Sequence, residues 1–129
     1  MGFKLGYSTY ALKMLAQPEA FQLIKDAGFE VLEICLIEDW PNSPLNLSLA
    51  QQYDLRKLYQ DLGFPSPCYF GNIDVCASTS DRANMFEITK RKFGLAHQLH
   101  SNDSPLIMTT TLGKSAPPWK SGQSQIVDA

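Results

Sequence analysis

Glu33 stands in the middle of a run, Val31-Leu32-Glu33-Ile34-Cys35-Leu36-Ile37, that otherwise reads as the inside of a sheet. A carboxylate taken out of water is costly. It requires a Lys, Arg, metal or hydroxyl partner, and an ion pair inside the sheet meets that need as well as a functional role does. Other chemically able side chains gather where β-rich runs end: Tyr7, Ser8 and Thr9; Glu38 and Trp40; Gly71, Asn72 and Asp74; Thr110, Thr111 and Trp119. A rim of hydroxyls, amides, carboxylates and aromatic rings suits a small polyol such as a sugar. Asn72 and Asp74 can bond its hydroxyls, although both residue types also serve turns and helix caps. The Thr109-Thr110-Thr111 run can line a pocket, and Thr is also a good strand former.

Other patterns carry less. Gly113-Lys114-Ser115 has the end of a phosphate loop, but Met108 stands where the leading glycine is required. His97 and His100 lie three apart on a helical stretch that should pack outside the sheet, so they read as surface or partly buried histidines. Cys35, Cys68 and Cys76 contain no C-x-x-C spacing, and an odd count without a secretory pattern favours reduced thiols. No Ser/His/Asp or Cys/His set is identifiable. Lys90-Arg91-Lys92 is the densest basic cluster and reads as a solvated helix face. With a net charge of −2, nucleic acid is not an expected partner. No apolar run is long enough for a membrane span and no signal region opens the chain, so a cytoplasmic protein without a membrane partner is expected.

The elements that must hold these groups alternate. Strands are expected over 3–7, 31–37, 68–73 and 106–110, with helices over 18–27, 48–62 and 81–100 and a further one opening at Ser121 or Ser124. Pro18 suits a first helical turn, and Ser48 with Gln51 forms a capping box. Asp26-Ala27-Gly28-Phe29 recurs 35 residues on as Asp61-Leu62-Gly63-Phe64, each glycine fitting a left-handed helix exit. Leu32, Ile34 and Leu36 should face the helices, and Val31, Glu33 and Cys35 the other side. On the third helix, Phe86, Thr89, Phe93, Ala96 and His100 share one face. Strand–helix alternation implies an α/β protein with a parallel sheet and right-handed crossovers. It is either the first four βα units of a (β/α)₈ TIM barrel, favoured by the like junctions, or an open parallel α/β sheet. A full barrel takes about 250 residues. Residues 1–129 therefore read as a single N-terminal half-barrel, truncated at Ala129.

Leu5-Gly6-Tyr7-Ser8-Thr9, followed by Ile24-Lys25-Asp26-Ala27-Gly28-Phe29-Glu30-Val31-Leu32-Glu33-Ile34, resembles the opening of the xylose isomerase-like (β/α)₈ proteins. These include the sugar phosphate isomerase/epimerase group and the endonuclease IV type of DNA-repair nuclease. The resemblance implies an enzyme with a divalent metal (Mn, Mg, Co or Zn), held by carboxylates and a histidine in the second half of the barrel. It implies a glutamate that removes a proton next to a carbonyl. No metal ligand or catalytic residue is identifiable in this chain, and both are expected beyond it. Tyr7, Ser8, Glu33, Asn72, Asp74, Thr110 and Trp119 would then form a wall for a sugar-type substrate. The nuclease branch carries histidines after its third and fourth strands, where this chain has Gly71-Asn72 and Thr110-Thr111; that argues against it. The leading expectation is the N-terminal part of a metal-dependent sugar (phosphate) isomerase or epimerase, inactive alone. The alternative is a non-catalytic half-barrel that works by association with a second copy or a complementary half.

Overall fold

In this computed structural model, which describes residues 2–102 and 104–111, four short strands pair in chain order. They are β1 (Gly6–Ser8), β2 (Val31–Cys35), β3 (Cys68–Phe70) and β4 (Met108–Thr109). Every pairing is parallel. Ser8 lies opposite Glu33 and Glu33 opposite Cys68, while Ile34 lies opposite Tyr69 and Tyr69 opposite Met108. The strands are shorter than the sequence runs. On β1 the Leu5 carbonyl accepts from the backbone N–H groups of Glu30 and Val31, at 2.8 and 3.2 Å, the second bond opening the parallel ladder at Gly6, and Phe3 stands free in solvent.

The crossovers carry helices α1 (Gln17–Asp26), α2 (Leu49–Asp61) and α3 (Arg82–Leu99). At α1, Glu19 accepts from the Ala16 N–H at 3.2 Å, and Pro18 sits in the first turn. The capping box at α2 is formed as its sequence requires: Ser48 Oγ accepts from the Gln51 N–H at 3.3 Å, and Gln51 Oε1 accepts from the Ser48 N–H at 2.9 Å. Gly28 and Gly63 leave their helices at φ of +87° and +75°. That is the conformation in which a side chain would be strained, and it explains the repeat.

All three helices bury against one face of the sheet. A single cluster joins Phe21 and Ile24 of α1, Leu55 and Tyr59 of α2, and Leu95 and Leu99 of α3 to Leu32, Ile34 and Tyr69. Strands that advance in one direction by right-handed crossovers put every helix on the same side. The opposite face carries Glu33, Cys35, Cys68, Phe70 and Thr109 by strand alternation.

Two readings of α3 need correction. Phe86 and Phe93 do not face the core; they are 59% and 46% exposed, and the Lys90 ammonium lies 4.7 Å from the Phe86 ring centre. Ala96 is buried as expected and His100 is buried just past the helix end, but the stripe is completed by Lys92, Leu95 and Leu99 in place of the two phenylalanines. Lys92 therefore does not belong to a solvated face: it is 2% exposed. Among the described residues, no helix is long and apolar enough to cross a membrane. The expected fourth helix and Trp119 lie outside the described residues.

Candidate functional site

The C-terminal ends of a parallel sheet are where loops converge on a ligand. Here local hydrogen bonds set each loop. After β1 the chain makes a 3-10 turn (Thr9–Leu12), capped by Ser8, whose Oγ accepts from the Tyr10 N–H at 3.2 Å. Thr9 is buried, and its Oγ1 accepts from the Cys35 N–H at 3.0 Å, which fastens the turn over the end of β2. The turn carries Tyr10 to the rim. Its ring meets Trp40 edge-on at 5.3 Å and Phe70 at 5.9 Å.

The loop after β2 supplies Ile37, Glu38, Asp39 and Trp40, and it is held from behind by Gln17, which donates to the Asn42 carbonyl at 2.9 Å. After β3, Asn72 adopts φ +46°, a left-handed conformation that Asn tolerates better than most residues. Thr111 Oγ1 lies 3.0 Å from Asn72 Oδ1, and the Ile73 N–H donates to Thr110 Oγ1 at 2.6 Å. Those two threonines clasp the β3–α3 loop to the end of β4. Asp74 sits in a turn where its carbonyl accepts from the Ala77 N–H at 3.2 Å.

From α3 the buried Lys92 reaches up between these loops. Its ammonium pairs with Glu38 Oε1 at 2.8 Å and donates to the Gly71 carbonyl. Above it opens a cleft of about 600 Å³ lined by Tyr10, Glu38, Asp39, Trp40, Asn72, Asp74, Asp81, Asn84 and apolar side chains of α3, among them Met85 and Ile88.

The structure brings Asn72, Asp74, Glu38 and Trp40 together and separates the other expected residues from them. Tyr7 pairs with Leu32, and its ring packs on Phe29 at 4.9 Å, so it does not reach the rim. Ser8, Thr9 and Thr110 fix backbone. Glu33 lies on the open sheet face rather than in the cleft. It is partly exposed and its partner is a hydroxyl, Thr109 Oγ1 at 3.3 Å; among the described residues no ion pair includes it. Its charge acts on two thiols. Burial pushes Cys35 above the usual cysteine range, with Ser8 and Thr9 opposing and Glu33 adding to the rise; burial and then Glu33 do the same to Cys68. His97 is exposed on α3, and the buried His100 Nε2 lies 2.7 Å from the Ser104 carbonyl. A carbonyl partner requires the proton on Nε2. Among the described residues no three His, Cys, Asp or Glu side chains converge as a metal site.

Sequence reasoning missed Tyr10 and Lys92. The signal for Lys92 was present: Met85, Ile88, Lys92, Leu95 and Leu99 repeat at helical spacing, and a lysine inside such a stripe needs a buried partner. No protein-family model matches the chain, and a search of curated proteins gives no match.

Proposed function

We propose that this chain forms the substrate-side wall of a metal-dependent sugar (phosphate) isomerase or epimerase, built as the first βα units of a (β/α)₈ barrel. The observation that carries the reading is the cleft, where the Tyr10–Trp40 ring pair faces Asn72, Asp74 and Glu38 at the C-terminal ends of the strands. Aromatic rings take the C–H faces of a sugar, and amides and carboxylates take its hydroxyls. The barrel reading is supported by strand order without reversal and by helices on one face, since a doubly wound sheet reverses direction and covers both faces. Among the described residues no group of side chains fits a metal. The base and the metal ligands would come from the remainder of the barrel. This chain's part is to bind and orient the sugar and to exclude water from it.

Titrating the chain with a panel of aldoses, ketoses and their phosphates, while following Trp40 fluorescence, tests the reading. At least one member should change the emission saturably, and the change should vanish in Trp40→Phe. A panel that leaves the emission flat to tens of millimolar would remove the sugar reading.

A second reading, association through the sheet edges, is favoured by one observation. Leu5, beside β1, and Ile107, beside β4, are 69% and 56% exposed, and edges of this kind invite pairing. Sedimentation at micromolar to millimolar concentration distinguishes it: a monomer throughout excludes self-association.

A further inference from the structure

We propose, resting on the sugar-wall reading above, that Glu38 held by Lys92 is the hydroxyl-recognising group of the cleft, and that the ligand it selects is an uncharged polyol rather than the corresponding phosphate ester. Lys92 is the only cationic side chain among the described residues lining the cleft, and its charge is already committed. It is 2% exposed, pairs with Glu38 Oε1 at 2.8 Å and donates to the Gly71 carbonyl. Holding one oxygen of Glu38 anchors a carboxylate whose side chain stays 31% exposed and so within reach of a ligand donor. A carboxylate fixed in this way accepts hydrogen bonds from hydroxyls and offers nothing to an anion.

The remaining ionisable groups point the same way. Asp39, Asp74 and Asp81 also line the cleft, giving four carboxylates, with Glu38, against one ammonium. The positive end of α3, the natural seat for a phosphate, already carries Asp81 as its N-cap residue. Among the described residues, a phosphate dianion entering here would meet no uncommitted cation and several like charges at short range. A neutral polyol meets acceptors in the carboxylates, donors and acceptors in Asn72 and Asn84, and a ring wall in Tyr10 and Trp40. Lys92 is thus a positioning residue that acts through Glu38.

The experiment is calorimetric titration of the 129-residue chain with matched pairs: D-fructose and its 6-phosphate, D-glucose and its 6-phosphate, D-ribose and its 5-phosphate. The sugar that binds should do so at least about tenfold more tightly than its ester. Glu38→Gln should weaken the sugar by about tenfold and raise the ester-to-sugar affinity ratio, which loss of packing alone would not do. Lys92→Arg should keep the preference, and Lys92→Met should weaken the sugar. If Glu38→Gln does not fold, the joint replacement of Glu38 and Lys92 by Met removes both charges without orphaning either, and the same ratio is read there. An ester that binds as tightly as its sugar overturns this inference and leaves the sugar-wall reading in place. Unchanged sugar affinity in Glu38→Gln overturns the role of Glu38. Binding by no member of any pair overturns the sugar-wall reading itself.

Discussion

Lys92 on α3 and Glu38 in the loop after β2 form an ion pair of unequal members, the ammonium 2% exposed and the carboxylate 31% exposed at 2.8 Å. The two partners are therefore not interchangeable in energy. Removing Glu38 deprives a buried ammonium of its ion-pair partner and leaves it, among the described residues, the hydrogen bond to the Gly71 carbonyl. Removing Lys92 leaves a carboxylate that water can reach.

The first prediction follows from that inequality. Glu38→Ala should destabilise the fold by about 3–5 kcal/mol, the cost of an uncompensated buried charge. Lys92→Met should cost less than about 2 kcal/mol, because an apolar chain of similar length suits the stripe it occupies. Urea unfolding of both variants checks the order, and a larger loss in Lys92→Met would refute it.

Tyr69 offers a test of opposite sign. It is fully buried, and among the described residues its hydroxyl has no hydrogen-bond partner. Tyr69→Phe removes a desolvated polar atom and keeps the ring, so stability should rise by about 1 kcal/mol. Calorimetry that shows a loss of that size would mean the hydroxyl is bonded.

Alkaline pH should unfold the chain through the same region. Burial raises Tyr69, Cys35 and Cys68 above their ordinary ranges. A raised acid keeps its proton in the folded state while the unfolded chain loses it. The stability is therefore complete below the unfolded values, about 8.5 for Cys and 10 for Tyr, and is lost as pH rises beyond them. Stability should decline from about pH 8.5 and more steeply above pH 10. The steeper limb should flatten in Tyr69→Phe; an unchanged slope there would assign it to other groups.

Thr9 fixes the turn that carries Tyr10. Thr9→Val keeps the shape and deletes the acceptor for the Cys35 N–H, leaving that buried donor unpaired at a cost of about 1–3 kcal/mol. Amide exchange at Cys35 should accelerate along with the loss of stability. Exchange unchanged from the parent would show that the donor has found another acceptor.

Much of the frame was legible because it is written locally. The Ser48–Gln51 box, Pro18 and the Gly28 and Gly63 exits each depend on a few neighbouring residues, and each formed as read. Leu32, Ile34 and Leu36 declared the helix-facing side by alternation. On the third helix Ala96 and His100 are buried as expected while Phe86 and Phe93 are not, because two apolar stripes overlap there. Phe86 and Phe93 outweigh Lys92 on any hydropathy count, yet one step along a helix turns the face by about 100°. The correct face is fixed by an acceptor in a loop far away in sequence, Glu38. The candidate site was half legible for the same reason. Asn72, Asp74 and Trp40 follow strand ends, a rule the chain order supplies, whereas Tyr10 reaches the rim only because Thr9 bonds to the next strand. Tyr7 lies one residue too early on β1, and alternation turns it toward Phe29.

From β2 onward each strand of the sheet pairs with the one made just before it, and β1 waits only for β2. On a ribosome, where residues emerge at about 5–20 per second, a unit can dock on its predecessor long before the next is complete. Two contacts reach farther back, Lys92 past β3 to Glu38 and Thr109 past β3 to Glu33. Assembly of the sheet can thus run with synthesis, while the floor of the cleft closes only after α3 has left the exit tunnel.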